Sequence, residues 1–160
     1  MDDEKLTELA EELFEKDYWL IDFLPKVAPG DGIGKYFAAE RYFMEPHRLR
    51  ELYERFARIV IKLNCYVGIF VSRPAAGAWV RDPDPEQLTQ WFLHCASRRR
   101  GEDHIEVLTN DGGSMLTLSR DNLYMTVYSP TKKLLDLAGP LTLSEGLFLR
   151  CPERAKEGGR

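Results

Sequence analysis

Residues Pro46 to Val71, PHRLRELYERFARIVIKLNCYVGIFV, form the longest run in this chain whose apolar spacing names a structure. Leu49, Leu52, Tyr53, Phe56, Val60 and Leu63 recur at steps of three and four, which is the stripe of a helix with one buried face. Arg48, Arg50, Glu51, Glu54, Arg55 and Arg58 lie largely off that stripe. After Asn64, a residue that tolerates a left-handed helix stop, the pattern becomes alternation through Cys65, Val67, Ile69 and Val71. The run therefore predicts a long helix feeding a buried strand. Ile59, Ile61 and Leu63 also alternate, so a strand from Ile59 competes with this reading, and the charged first turns favour the helix.

A chain of 160 residues is one domain in size, long enough to bury a substantial core. With 44% hydrophobic and 30% charged residues it is too apolar for a disordered chain. Its apolar stretches are broken at Asp22, Lys62 and Asn64, well short of the roughly 20 residues of a membrane helix. No membrane partner is expected. The opening MDDEKLTELAEE is acidic where a secretory signal would be basic and then apolar. Cys65, Cys95 and Cys151 are odd in number and unpaired in spacing, so a reducing, cytoplasmic setting is the expectation. Net charge is −4, but residues 1–17 carry −6 and residues 18–160 carry +2. Acidity is thus concentrated at one end, and no basic face of the kind nucleic acid requires stands out.

Leu6, Leu9, Ala10 and Leu13 predict a first helix over Asp3 to Lys16, acidic on its outer face. Tyr18 to Leu24 reads as a strand with Trp19, Ile21 and Phe23 on one face and Tyr18, Leu20, Asp22 and Leu24 on the other. PKVAPGDGIG is a loop by composition, and KYFAAERYFM reads as a second strand pairing with the first. Trp79 and Val80 suggest a short strand within the breaker-rich Ser72 to Pro85. Asp84, Pro85 and Glu86 mark a helix start, Leu88, Trp91, Phe92 and Cys95 its buried stripe, and Arg98 to Arg100 its carboxyl end before Gly101. HIEVLTN, SMLTLS and LYMTVYS alternate across two turn-type links, the pattern of an antiparallel meander. Thr131 to Leu137 predicts a short helix stopped at Gly139-Pro140, and Leu147 to Leu149 a last strand. The expected fold is a single α+β domain over residues 1–151, built on a mostly antiparallel sheet of five to seven strands with helices on its apolar face. Residues 152–160 are expected to be a disordered tail.

No catalytic motif is complete. Gly30-x-Gly32-x-Gly34-Lys35 lacks the glycine a phosphate loop needs at Pro29 and the Ser or Thr it needs at Tyr36, and no helix pattern opens convincingly after Lys35. His47, His94, His104 and the cysteines form no CxxC or HxxxH spacing, so no metal site or cofactor is expected, and Cys65 and Cys95 are expected to be buried thiols. No GxSxG elbow is present. Asp22 and Glu40 could pair as acid and base across neighbouring strands, but Arg41 offers either one a simple ion pair.

Aromatic residues exceed what a core demands, with seven between Tyr18 and Phe43. Alternation would set Tyr18, Tyr36 and Tyr42, with Asp22 and Glu40, opposite the core face as a recognition patch, unless the first helix covers it. The expected function is a small cytosolic binding or interaction protein without catalysis, acting on a protein partner, its acidic helix steering encounter. The alternative is a small-molecule enzyme or sensor with a polar pocket at Asp22, Glu40 and Arg41 under a Pro25–Gly34 lid. A nucleic-acid binder resting on Arg98 to Arg100 and the arginine-rich helix ranks third.

Overall fold

The computed structural model describes residues 1–73, 77–97 and 104–152. The Pro46 run folds as α3 (Pro46–Val67), preceded by α1 (Asp3–Leu13), β1 (Tyr18–Asp22) and α2 (Ile33–Met44). Then come β2 (Ile69–Arg73), β3 (Ala78–Arg81), α4 (Pro85–Ala96), β4 (His104–Thr109), β5 (Met115–Ser119), β6 (Tyr124–Tyr128), α5 (Lys132–Ser144) and β7 (Phe148–Arg150). One seven-stranded sheet runs β3-β2-β4-β5-β6-β1-β7, every neighbouring pair antiparallel. The chain is a single α+β domain.

All six residues of the expected α3 stripe are buried, together with Ile59. They pack with Leu88, Trp91, Phe92 and Cys95 of α4 on one sheet face, against Val71, Val107, Leu116 and Val127. Asp84 caps α4 by accepting the Glu86 amide at 2.8 Å, with Pro85 in the first turn, as its sequence predicts. Asp2 does the same for α1, accepting the Lys5 amide at 2.9 Å. Here α1 packs on the opposite face of the sheet, where Leu6, Ala10 and Leu13 meet Phe70, Leu108 and Met115.

Three local expectations are corrected. KYFAAERYFM is not a strand beside β1 but lies within α2, and β1 pairs instead with β6 and β7. Its middle, Ala38-Ala39-Glu40-Arg41, consists of strong helix formers, and Tyr36, Ala39 and Phe43 fall on one helical side. A helix therefore does open within the glycine-rich segment, at Ile33, although the phosphate-loop residues remain missing. Second, α3 passes Asn64 and stops at Gly68, whose φ of 65° suits glycine, and this places Cys65 in an exposed helical turn rather than a strand. Third, α5 continues through Gly139-Pro140. Its buried Leu134, Ala138 and Thr142 share a side, and the Gly139 carbonyl accepts the Thr142 hydroxyl at 2.8 Å, so docking outweighs the missing proline amide. Arg98 to Arg100 lie outside the described residues, as does the tail beyond Pro152.

Candidate recognition surface

Cross-strand register sorts the second sheet face into rows. The row Phe70, Leu108, Met115, Tyr128 and Tyr18 runs from β2 to β1. This row lies beneath α1, whose Phe14 ring meets Tyr128 edge-on at 5.2 Å, and α1 also holds Trp79, the β3 neighbour of Ser72, through its indole N–H, which donates to the Thr7 hydroxyl at 3.1 Å. Beside it runs Ser72, Glu106, Thr117, Thr126, Leu20 and Arg150, and beyond that lie His104, Ser119, Tyr124, Asp22 and Phe148. Leu20 and Phe148 of these rows are half-buried and are not among the apolar residues packed with α1, Thr117 and Asp22 are buried, and Tyr124 is 37% exposed.

Asp22 is the most constrained group on this surface. It is buried, and its Oδ2 accepts Nη2 and Nε of Arg150 at 2.7 and 3.2 Å. Its Oδ1 accepts the Phe23 amide at 2.7 Å. Arg150 lies diagonally across the β1–β7 register, so the short last strand supplies the cation that had been expected from Arg41. Arg41 itself is exposed on α2.

Helical spacing sets Tyr36 and Glu40 one turn apart on the side of α2 that faces the domain. Burial raises the Tyr36 phenol above its usual pKa, and so does its proximity to the Glu40 carboxylate, Asp22 and Tyr124. Its ring stacks on Phe23 at 6.4 Å. Asp22, Tyr36 and Glu40 thus gather at one end of β1, through helix α2 rather than through strand alternation. Tyr18 stands at the other end of β1, 5.9 Å from the Tyr128 ring. Burial pushes the Tyr128 phenol up as well, reinforced by Tyr18 and Tyr124 against hydroxyl contacts from Thr117 and Thr126. Tyr42 is separate again, 53% exposed with the Arg48 guanidinium 3.8 Å over its ring.

Tyr124 and Arg150 are the residues missed by reading the sequence. Tyr124 follows the same alternation as Tyr18, because Tyr124, Thr126 and Tyr128 oppose Met125 and Val127. Arg150 had no such signal, since nothing in a three-residue strand announces its neighbour.

Asp22 is already bonded to a guanidinium and an amide, and a phenol with a raised pKa, as in Tyr36, is a poor acid at neutral pH. Between the Pro25–Gly34 loop and α2 lies a cleft of about 440 Å3, lined by Leu24, Ala28, Pro29, Lys35, Tyr36 and Ala39 among others. Among the described residues no three His, Cys, Asp or Glu side chains are grouped to hold a metal, and no helix is long and apolar enough to cross a membrane. No family model matches the chain, and comparison with curated proteins and with solved structures gives no match.

Proposed function

We propose that this chain is a non-catalytic binding protein whose protein partner seats on the two sheet rows that α1 does not pack against. The observation that carries the reading is the mismatch between one helix and a seven-stranded face. The apolar residues packed with α1 are the Phe70–Tyr128 row and Trp79, and they do not include Leu20, Tyr124 or Phe148, which stand beside the closed Asp22–Arg150 pair. Tyrosine offers such a surface large contact area and a hydroxyl at low entropic cost. The bordering helix carries most of the −6 charge of residues 1–17, so a basic partner would be steered towards the same face. The cytoplasm, where three unpaired thiols would stay reduced, is the compartment this reading assumes.

A second reading is favoured by the 440 Å3 cleft, which would take a small, largely apolar molecule beneath the Pro25–Gly34 loop. Asp22 is already engaged by Arg150 and Arg41 is exposed on α2, so a polar pocket here would have to rely on Lys35 and the Tyr36 ring edge, which line the cleft.

The test is to recover bound protein from the source cells with wild type and with Tyr124→Ala as baits, then titrate the purified partner into both by calorimetry. Tyr124→Ala should change stability by no more than about 0.5–1 kcal/mol, because the ring is partly solvated. It should weaken partner binding by about 2 kcal/mol or more if the ring anchors the contact. Equal affinities with equal melting curves would remove this face from the function.

A further inference from the structure

Helix α2 is the one α-helix among the described residues with no fully buried side chain. Ile33 and Phe37, one turn apart on its outer side, are 50% and 48% exposed. Beside them Asp31, Gly34, Ala38 and Arg41 follow at steps of three, four and three, all exposed, along the middle of the same face. Asp31 stands just ahead of the first turn and Arg41 in the last, and neither makes an ion pair among the described residues. A Cβ placed on Gly34 would meet nothing within 4 Å, so another backbone can approach there. An apolar face with an acid at one end and a base at the other is complementary to itself when turned end over end.

We propose that the outer face of α2 docks a second copy of this chain, the two helices lying antiparallel about a twofold axis level with residue 36. In that arrangement Asp31 of each copy stands opposite Arg41 of the other, and Gly34 stands opposite Ala38. The two Phe37 rings meet across the axis, with Ile33 of each copy extending the same apolar edge. A parallel pairing would set Asp31 against Asp31 and Arg41 against Arg41, so charge selects the antiparallel one. The helix dipoles also oppose one another in this arrangement. An interface is isologous when one patch contacts itself in this way, and it closes at two copies. Twelve residues of helix give a contact about 18 Å long, at the small end of specific interfaces, so a dissociation constant of roughly 10–100 μM is expected. This surface is separate from the sheet rows proposed to seat a partner, and either can fail without the other.

The experiment is sedimentation equilibrium on the full chain from about 1 to 500 μM, a span set to bracket that constant. Wild type should pass from monomer to dimer, and Phe37→Asp should remain monomeric with an unchanged melting curve. Asp31→Arg and Arg41→Asp should each weaken self-association at least tenfold. Mixing these two variants should restore it, because every pair across the heterodimer is then again opposite in sign. A wild type that stays monomeric throughout overturns the proposal and leaves the face to a different partner. A dimer indifferent to Phe37→Asp, or single variants whose mixture restores nothing, overturns it as well.

Discussion

Breaking the Asp22–Arg150 pair should cost far more than a surface ion pair. Exposed pairs contribute about 0–1 kcal/mol, whereas removing one partner of a buried pair costs roughly 3–5 kcal/mol by stranding the other charge. Here the side chains retain 10% and 15% of their exposure, and one carboxylate oxygen takes both guanidinium contacts. That places the pair near the buried limit with a residual path to water, so Arg150→Met should destabilise by about 2–4 kcal/mol. Asp22→Asn keeps an oxygen for the Phe23 amide and removes only the charge, so about 1–3 kcal/mol is expected. The double variant should fall short of the sum by about 1–2 kcal/mol, as side chains in direct contact do. Urea titration of the four proteins, with slopes compared to verify two-state unfolding, measures this coupling. Strict additivity, with each single change within about 0.5 kcal/mol, would refute the pairing. Asp22 would then be free for acid–base or ligand chemistry, and the small-molecule reading would gain what the pairing now takes from it.

Two further predictions concern pH. Burial opposes the charge of Glu145, but the 2.9 Å contacts from Lys62 and Arg58 overcome it and hold the carboxyl below its usual pKa. A carboxylate with a depressed folded pKa stabilises above its unfolded value, near 4.3, and that contribution is lost as pH falls through the folded value. Glu145→Gln should therefore be less stable than wild type at pH 7 and converge with it in acid, and a constant gap in melting temperature down to pH 2 would contradict the assignment. Burial above all pushes the Tyr53 phenol well above its usual pKa, and its hydroxyl lies 3.0 and 2.9 Å from the carbonyls of Ser119 and Asn122. The raised value means stability is complete below pH 10 and lost as pH rises past it, when only the unfolded chain ionises. Tyr53→Phe should cost about 1–3 kcal/mol at pH 7 and abolish most of that alkaline loss.

Legibility followed the physics of burial. The α3 stripe, the α4 cap and the three meander strands could be read because each buries one face of a long element, and burial imposes a period on the sequence. Where the period was ambiguous, the sequence misled in a particular way. In KYFAAERYFM the alternation of Tyr36 with Phe37 and of Tyr42 with Phe43 looked like a strand because aromatics favour strands, whereas α2 sits at the edge of the domain and leaves several of them exposed. Asn64 and Gly139-Pro140 were read as stops because each can end a helix. Gly68 is the better stop for α3, and α5 gains too much by docking Leu134, Ala138 and Thr142 to end early.

The candidate site was half legible for a different reason. Asp22, Tyr36 and Glu40 were chosen from an alternation that does not exist beyond β1, yet two of them meet through the i, i+4 geometry of a helix, and all three through the way α2 returns to the end of β1. A pattern of period two and one of period four share every fourth position, so Tyr36 and Glu40 fall on one side in a strand or a helix. Partners from distant strands had no such protection. Arg150 reaches Asp22 across 128 positions of sequence, and only the sheet order, which sets the last strand beside the first, brings them together. The acidic first helix was read in isolation as either exposed or covering. Its Leu6, Ala10 and Leu13 pack on the second sheet face, and its acidic residues are exposed.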